Sequence, residues 1–382
     1  MQRKKILWLV SWYPNKNDRF DGDFIQRHAR AAAIYHDVHV IFVTDTEMEK
    51  ETDEQWNYAT GLTEQIIYFK RKKGIGARLR KQFVWKNIFQ GAVKNYIDKN
   101  GLPDGVHVHV PWKAGVIALW MKKKFSKDFI ITEHWGYYNK EIQNNFFMNS
   151  NVVQKLIRII YKKAKAVVSV SNFLAAGIEN VTGRKTDLVI PNVVDTSLFF
   201  RGNEKYSQFT FIHVSNMVYW KNVEKIIEAF SKVKNERGNV QLILIGNRDD
   251  HYAAMARKAG FLNDCIFFRG EISYREVAEE LRRAHCHILF GNFETFSCVT
   301  AESLCSGVPV IVPYAGAVTE LVNKANGFIV PKDNVDELSK AMIVMMDNYG
   351  IFNPASISEE ACRKFSYSAI AQKFDELYCK FC

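Results

Sequence analysis

The chain has 382 residues, of which 47% are hydrophobic, and this composition predicts a globular protein large enough for two domains. No apolar run approaches the roughly 20 residues of a membrane span, which excludes a protein built on transmembrane helices. The net charge of +11 is unevenly spread: residues 1–200 carry 31 Lys and Arg against 19 Asp and Glu, whereas residues 201–382 carry 21 against 22. The first half is therefore expected to meet an anionic partner.

The seven cysteines are an odd number, and all of them lie in the second half of the chain. Several fall within predicted core elements, which is typical of buried thiols in a reducing cytosol. The N-terminus is basic and then apolar, but it lacks a cleavage site of small residues. Residues 6–11 are therefore predicted to form the first strand rather than a signal peptide, and a cytoplasmic protein is expected.

A βαβ unit opens the chain. Strands are predicted at 6–11 and 38–43, with a helix over 24–34 between them. The first strand and the helix are joined by a loop rich in Pro, Asn, Asp and Gly. Gly22 lies at the turn just before the helix, where a residue without a Cβ lets the backbone approach a phosphate.

A basic segment follows the strand predicted at 65–69. It consists of Lys70, Arg71, Lys72 and Lys73, and the helix that comes next carries Trp85 among further Lys and Arg residues. A basic helix with aromatic residues indicates an element that lies on a membrane surface. The alternative is a solvated helix with one face in the core.

Histidines mark the ends of two further strands. Residues 106–110 alternate like a strand, so His107 and His109 share one face. Two histidines at that spacing could bind a metal, but no third ligand lies nearby in sequence, so no metal site is predicted. His134 ends the strand predicted at 129–134.

The second half restarts with a strand at 209–214. Ser215 and Asn216 follow it directly, and Lys221 stands just before the next predicted helix. The domains are predicted as residues 1–200 and 201–365, with a C-terminal helix over 366–382.

Two acids, Glu294 and Glu302, lie in a strand-to-helix turn of the second half. An apolar strand precedes them, and Gly307 is predicted to end the helix before the strand 308–312. The helix start is expected at the carboxyl end of a parallel sheet, where open α/β sheets bind ligands. Amides that bind phosphate, beside carboxylates that accept hydrogen bonds from hydroxyls, are the chemistry of a nucleotide-sugar site. The alternative is one acid that favours the helix dipole and one surface acid.

The stretch around the two acids resembles the E-x7-E motif of retaining GT-B glycosyltransferases of family 4, the glycosyl transferases group 1. The resemblance extends over some sixty residues, through the strand 284–290, Ser306-Gly-Val-Pro-Val-Ile and Asn326-Gly-Phe-Ile-Val. Leu188-Val-Ile-Pro-Asn-Val-Val-Asp resembles the family's hinge segment, with Val193 where glycine is usual. The chain departs from the family at Ser215 and Asn216, which replace a Gly-Arg pair.

The resemblance implies a fold and a set of site residues. The fold would be α/β, with two Rossmann-like domains facing each other across a cleft and the C-terminal helix packed back on the first domain. The residues implied to bind the nucleotide-sugar donor are Gly22, Asn216, Lys221, Glu294, Phe296, Ser297 and Glu302. Those implied to act in catalysis are His109, Lys221 and Glu294, with His134 as a weaker candidate on the acceptor side.

The function so implied is retaining transfer of a hexosyl or N-acetylhexosaminyl group from a nucleotide-diphosphate sugar. A UDP-sugar is favoured and a GDP-sugar comes next; the acceptor would be a glycan or a lipid-linked molecule in cell-surface polysaccharide or glycoconjugate synthesis. No metal cofactor is expected, because Lys221 and helix N-termini supply positive charge, and no nucleic-acid partner is expected. The protein would be cytoplasmic or peripheral on the inner face of the membrane. Two alternatives stay open: a GT-B sugar-nucleotide epimerase, and a non-catalytic nucleotide-sugar-binding protein, which the missing arginine favours.

Overall fold

The computed structural model describes residues 2–74, 76–140, 142, 145–247 and 250–382. Contacts divide the chain into two compact units. The first unit is Met1–Val193 together with Tyr367–Cys382, and the second is Val194–Ser366.

Strands and helices alternate through most of the chain. The strands are β1 (Lys5–Val10), β2 (Asp37–Thr46), β3 (Thr52–Ala59), β4 (Leu62–Lys70), β5 (Gly105–His109), β6 (Phe129–Glu133), β7 (Ala166–Ser169), β8 (Leu188–Val189), β9 (Phe209–Val214), β10 (Val240–Ile245), β11 (Ile266–Gly270), β12 (Cys286–Ile288), β13 (Val310–Pro313) and β14 (Gly327–Val330). The helices are α1 (Asp23–Ala32), α2 (Ala77–Asn100), α3 (Pro111–Phe125), α4 (Asn151–Lys163), α5 (Asn172–Thr182), α6 (Val223–Glu236), α7 (Asp250–Lys258), α8 (Tyr274–Arg283), α9 (Cys298–Cys305), α10 (Val335–Asp347), α11 (Pro354–Phe365) and α12 (Tyr367–Phe381).

The first unit is built on one sheet, with the strand order β3-β4-β2-β1-β5-β6-β7-β8. Among the described strands of this sheet, only β3 runs antiparallel to its neighbour, and it lies at the edge, where its residues are exposed or half-buried. The central strand β1 is buried over Ile6–Val10 and pairs in parallel with β2 and β5. A continuous apolar run is the pattern of a parallel strand covered on both faces, which is why the sequence identifies this strand so clearly.

The second unit contains a parallel sheet in the order β11-β10-β9-β12-β13-β14. This is the strand order of the Rossmann fold, in which the order reverses between the first and fourth strands. Here the reversal lies between β9 and β12. The loop after β9 carries Ser215 and Asn216, and the loop after β12 carries Glu294. The topology therefore brings together two loops that are about 80 residues apart in sequence, at the place where such sheets bind ligands.

The helix α12 belongs to the first unit and packs on α1. Its Tyr378 hydroxyl is fully buried, where it accepts a hydrogen bond from the indole nitrogen of Trp8 at 3.0 Å and lies 2.7 Å from Nδ1 of His107. The division between the units falls after Val193 rather than at residue 200. The reason is that Phe199 is fully buried against the ring of Tyr274, at 4.8 Å between ring centroids, within the second unit.

Gly246, at the end of β10, holds the loop after β9 in place. Its φ of 141° is a conformation that L side chains rarely adopt, and a Cβ there would lie 1.7 Å from the carbonyl oxygen of Ser215. The chain after β9 can follow its course only because this position lacks a side chain.

We therefore expect Gly246→Ala to destabilise the second unit by about 2 kcal/mol or more, because both the backbone conformation and the contact with Ser215 become strained. Urea and thermal unfolding measure this effect. Gly238→Ala is the matched control, since a Cβ at Gly238 meets no atom within 4 Å. Equal unfolding midpoints for the two variants would contradict the prediction.

Candidate active site

The helix α9 begins just after the predicted turn, and its start is unusual. Ser297 stands before it with a φ of 71°, in the left-handed region, and its hydroxyl lies 2.8 Å from the hydroxyl of Thr300. Among the residues that the structure describes, the Ser297 side chain makes no capping hydrogen bond to the first turn of α9. The start of a helix is where backbone N–H groups can bind an anion, and α9 begins where the position of the turn predicts. Phe296 is buried, with its ring 5.6 Å from that of Phe365.

Glu294 and Lys221 form an ion pair between the two loops of the second unit. The side chains are only 12% and 17% exposed, respectively, so the pair is largely withdrawn from water. Lys221 ends a short helical turn, Tyr219–Lys221, and Glu294 lies in the loop that leads to α9. The structure therefore places in contact two residues that the sequence assigned to the same site from motifs 73 positions apart.

Backbone contacts fix Glu294 from the other side. Its carbonyl oxygen accepts a hydrogen bond from the N–H of Ala317 at 2.9 Å. Gly316 has a φ of 65°, and a Cβ there would lie 2.4 Å from the same oxygen. Because a side chain at 316 would displace Glu294, this glycine is part of the site's framework.

Asn222 joins the two loops and was missed by the sequence analysis. It is buried, and its side-chain nitrogen donates to the carbonyl of Phe290 at 3.1 Å and to Oδ1 of Asn292 at 2.6 Å. The N–H of Asn292 in turn donates to the carbonyl of Trp220 at 2.8 Å. An asparagine directly after Lys221, at a helix start, was the available signal, since asparagine tolerates the left-handed conformation that it has here.

Glu302 lies on α9 and is 2% exposed. The hydroxyl of Tyr274 donates a hydrogen bond to its Oε1 atom. Tyr274 is the first residue of α8, whose start is fixed by a capping box between Ser273 and Glu276. Tyr274 had no motif to identify it, because only the fold brings α8 and α9 together.

The loop after β9 is positioned through His213. The Nδ1 atom of His213 lies 2.9 Å from the carbonyl oxygen of Ile288, so this nitrogen carries the proton, and Nε2 accepts from the Ser215 hydroxyl at 2.8 Å. The Ser215 oxygen also accepts from the N–H of Met217 at 3.0 Å. Asn216 is exposed at the tip of this turn. Burial lowers the pKa of His213 to about 4, an effect that the nearby Lys221 reinforces.

In the first unit, Gly22 precedes α1 with a φ of 64°. A Cβ there would lie 2.7 Å from the carbonyl carbon of Trp12, so the turn requires glycine. Beside it, burial raises the pKa of Asp21 to about 6, and the nearby Asp18 adds to the shift. Gly22 thus lies at a helix start, as predicted, although its contact with a phosphate stays a prediction.

His109 and His134 come together in the first unit, but deep in the core. Nδ1 of His109 lies 3.1 Å from Nε2 of His134, and the ring of Trp8 stacks on His109 at 3.9 Å. Burial lowers the pKa of both histidines well below the ordinary value. A third histidine, His28 of α1, completes the cluster, and the three residues offer ligand atoms within 4.8 Å of one another. His107 shares the predicted face with His109 but is engaged elsewhere, with Tyr378 and Thr132.

Most of the basic segment is neutralised by acids that flank β2 and β3. Arg71 pairs with Asp45 at 3.1 Å, Lys72 with Glu51 at 2.7 Å, and Lys73 with Glu47 at 3.2 Å; Lys70 donates to the carbonyl of Glu49 at 3.2 Å. Trp85 is half-buried and donates to the carbonyl of Val43 at 3.1 Å. The exposed apolar side chains of α2 are instead Leu79 and Phe83, which are 73% and 67% exposed. Among the described residues, no helix is both long enough and apolar enough to span a membrane.

Solved structures establish the class of fold. The chain superposes on the sucrose-phosphate synthase of Thermosynechococcus elongatus with a TM-score of 0.77, at 18% identity, over 99% of each chain. It superposes on Anabaena HepE in complex with UDP and glucose with a TM-score of 0.73, at 16% identity, over 99% of this chain and 100% of that one. With its two parallel α/β sheets, the protein has the GT-B fold, as the sequence predicted.

The family follows from two matching family models. Glycosyltransferase Family 4 matches residues 24–198, and Glycosyl transferases group 1 matches residues 195–370. The two models join near the boundary between the units and together cover nearly the whole chain. The protein belongs to the family 4 type of GT-B glycosyltransferases, which confirms the family implied by the E-x7-E motif.

Relatives of assigned activity are distant. The chain is 22% identical to the alpha-monoglucosyldiacylglycerol synthase of Streptococcus pneumoniae over 293 residues, which cover 72% of this chain and 63% of that protein. It is 25% identical to the N-acetyl-alpha-D-glucosaminyl L-malate synthase of Bacillus anthracis over 181 residues, 44% of this chain and 47% of that protein. The chain thus matches less than two thirds of the length of these two relatives.

The depressed pKa of His213 predicts acid sensitivity of the second unit. An unfolded histidine has a pKa near 6.5, so below that pH the unfolded state binds a proton that the folded state excludes. The free energy of unfolding is therefore highest above pH 6.5 and falls by about 3 kcal/mol as the pH drops toward 4. We expect His213→Gln to make the dependence of unfolding free energy on pH shallower by about one proton in this window, while other buried histidines such as His285 and His287 keep their share of it.

The measurement is urea unfolding at half-unit pH steps. The slope of the unfolding free energy against pH gives the number of protons taken up on unfolding. Ser215→Ala is the control, since it removes the hydroxyl partner but keeps the buried imidazole and so retains the slope. An unchanged slope in His213→Gln would show that this histidine does not titrate in the window.

Proposed function

We propose that the protein is a retaining glycosyltransferase that moves a hexosyl or N-acetylhexosaminyl group from a nucleotide-diphosphate sugar to a glycan or lipid-linked acceptor. The observation that carries this proposal is the Lys221–Glu294 pair beside the start of α9, with Glu302 buried on the same helix. Cationic, amide and carboxylate groups in one place match the phosphates and hydroxyls of such a donor.

Each group has a distinct task in this proposal. Glu302, oriented by the Tyr274 hydroxyl, accepts hydrogen bonds from the ribose hydroxyls. Glu294 orients the donor sugar, and the backbone N–H groups at Phe296 and Ser297 lie near sugar and phosphate. Lys221 then exchanges part of its contact with Glu294 for the diphosphate.

Transfer takes place on one face of the sugar. The bond between the anomeric carbon and the diphosphate oxygen breaks, the acceptor oxygen bonds to the same carbon, and the acceptor proton passes to a departing phosphate oxygen. Lys221 and the N–H groups stabilise the charge that develops on the diphosphate, which is the largest contribution in catalysis of this kind. No metal is required in this scheme. Asn216 adds a neutral donor where the family's pattern has arginine, and Gly22 offers a helix start in the first unit.

His109 and His134 stay candidates for contacts with the donor sugar and the acceptor. Within the described residues, Nε2 of His109 has no hydrogen-bond partner, so it is the ring nitrogen that could meet a sugar hydroxyl. His134 uses both ring nitrogens in the core, toward His109 and Asn192. Of the two, His109 is therefore the better candidate.

A UDP-sugar is the proposed donor, with a GDP-sugar as the next choice. Supporting it, HepE, which shares the fold, was crystallised with UDP and with UDP-glucose. A lipid-linked acceptor is supported by the name of a relative, a diacylglycerol glucoside synthase. The proposed place of action is the inner face of the cytoplasmic membrane.

The decisive experiment is calorimetric titration with UDP-, GDP- and ADP-sugars, followed by assay of product with the donor that binds. We expect Glu302→Gln to weaken binding of that donor by about tenfold to a hundredfold, the worth of one or two hydrogen bonds to a charged group. Glu279→Gln, an exposed acid on α8, should bind as the wild type does.

The other outcomes separate the alternatives. Equal donor affinity in Glu302→Gln and Glu279→Gln would remove Glu302 from the ribose site. Donor binding without transfer to any glycan or lipid acceptor would favour a non-catalytic binder, and conversion of the donor to its epimer without acceptor would favour an epimerase.

The basic segment and the start of α2 are proposed to contact an anionic membrane. The ion pairs described above leave less free charge than the sequence indicated, so the exposed Leu79 and Phe83 take a larger share of the contact. We expect sedimentation with anionic but not neutral vesicles, reduced by high salt and by Leu79→Ser with Phe83→Ser.

Two matched charge variants test the location of this contact. Changing Lys70, Arg71, Lys72 and Lys73 to Ser removes four cations, and so does changing Lys122, Lys123, Lys124 and Lys127, which lie at and after the end of α3 in the same unit. Equal loss of binding in both variants would indicate that net charge alone attracts the vesicles and that no defined contact site exists. Equal recovery of the protein in the supernatant with both vesicle types would exclude membrane attachment.

A further inference from the structure

We propose that His28, His109 and His134 form a three-histidine binding site for a divalent transition metal of the zinc type. The three residues come from α1, from the end of β5 and from the position directly after β6. One nitrogen from each lies within 4.8 Å of the other two, and all three rings are buried. The sequence did not indicate this site, because its ligands are spread over more than a hundred residues.

Hydrogen bonds to two of the rings fix which nitrogen of each ring carries the proton. Nε2 of His28 lies 2.8 Å from the carbonyl oxygen of Pro191, which can only accept, so this nitrogen carries the proton of the neutral ring. The lone pair of His28 is therefore on Nδ1, which is buried and has no partner within the described residues. An unpartnered buried lone pair is costly in a protein core and is what a metal would use.

His134 has the same arrangement with the nitrogens reversed. Its Nδ1 atom lies 3.2 Å from Oδ1 of Asn192, and its Nε2 atom turns inward. Histidines that bind metals characteristically donate their other N–H to an oxygen, which fixes both the tautomer and the ring orientation. Pro191 and Asn192 are neighbours in sequence, so one short segment orients two of the three rings.

His109 supplies the third nitrogen. Its Nδ1 atom is 3.1 Å from Nε2 of His134, which is close to the separation of about 3.4 Å between two nitrogens that bind a tetrahedral ion at 2.0–2.1 Å. Without metal, Nδ1–H of His109 donates to His134. On metal binding that proton moves to Nε2 of His109, so the ion binds three neutral imidazoles and no net proton is released.

Aromatic rings enclose the cluster and limit its movement. Trp8 stacks on His109, while Phe24 packs on His134 at 5.0 Å and Phe374 on His28 at 5.1 Å. With three imidazole ligands, the site suits zinc, cobalt, nickel or copper and disfavours magnesium and calcium, which require oxygen ligands. A water molecule would complete the coordination, as in other three-histidine sites.

The competing explanation is a purely structural cluster of neutral histidines. Cobalt(II) titration of the chelator-treated, full-length protein distinguishes the two, because four-coordinate cobalt has intense visible absorption that six-coordinate cobalt in solution lacks. We expect a saturable band at one cobalt per chain, which zinc abolishes by displacement and magnesium does not. This readout is independent of donor binding in the second unit and of transferase activity.

Variants locate the metal on these residues. His28→Asn and His134→Asn should each lower cobalt affinity at least tenfold, and Asn192→Ala should lower it roughly tenfold to a hundredfold by releasing the outer hydrogen bond. His39→Gln is the control, since it removes a histidine of the same unit that lies outside the cluster and should bind cobalt as the wild type does.

The proposal is overturned if the wild-type protein gives no saturable band, a result that needs no variant and therefore does not depend on whether the substituted proteins fold. It is also overturned if folded His28→Asn retains the wild-type affinity, or if His39→Gln lowers it as much as His28→Asn does.

Discussion

The ion pair between Lys221 and Glu294 is the interaction on which the second unit's site depends. Both charges are largely withdrawn from water, and removal of either would leave the other buried without compensation, which costs several kcal/mol. The loops that carry them are joined again by Asn222, and Glu294 is held by its contact with Gly316. The two charges are thus held in place by the protein itself.

The first unit has a different electrostatic character. Its buried polar groups include His107, His109 and His134, and burial lowers the pKa of each ring well below the ordinary value, since a charged imidazole could not recover its lost hydration there. The three rings are therefore neutral. Neutral imidazoles leave lone pairs that need donors or metal ions. His107 has two hydroxyl partners, whereas Nδ1 of His28 has no hydrogen-bond partner in the part of the chain that the structure describes. By this criterion, His107 is a structural histidine and His28 is a candidate metal ligand.

In the folded protein, the uneven charge of the two halves has less effect than the sequence suggests. Counted along the sequence, the first half has a large positive excess, but Arg71, Lys72 and Lys73 are each matched by an acid from the neighbouring segments. Paired surface charges contribute little to long-range attraction once salt screens them. The apolar side chains that α2 leaves in water are consequently as relevant to a membrane contact as its charges.

By itself, the sequence determined the fold class, the family, the loops that carry Lys221 and Glu294, and the helix that carries Glu302. It could do so because buried parallel strands have continuous apolar sequences, and because the motif residues follow those strands at fixed spacings along the chain. Only the tertiary structure decided which side chains meet. Tyr274 reaches Glu302 because α8 packs beside α9, and His28 joins His109 because the fold brings the two rings to 6.2 Å between centroids. The separation of these residues along the chain carries no local pattern.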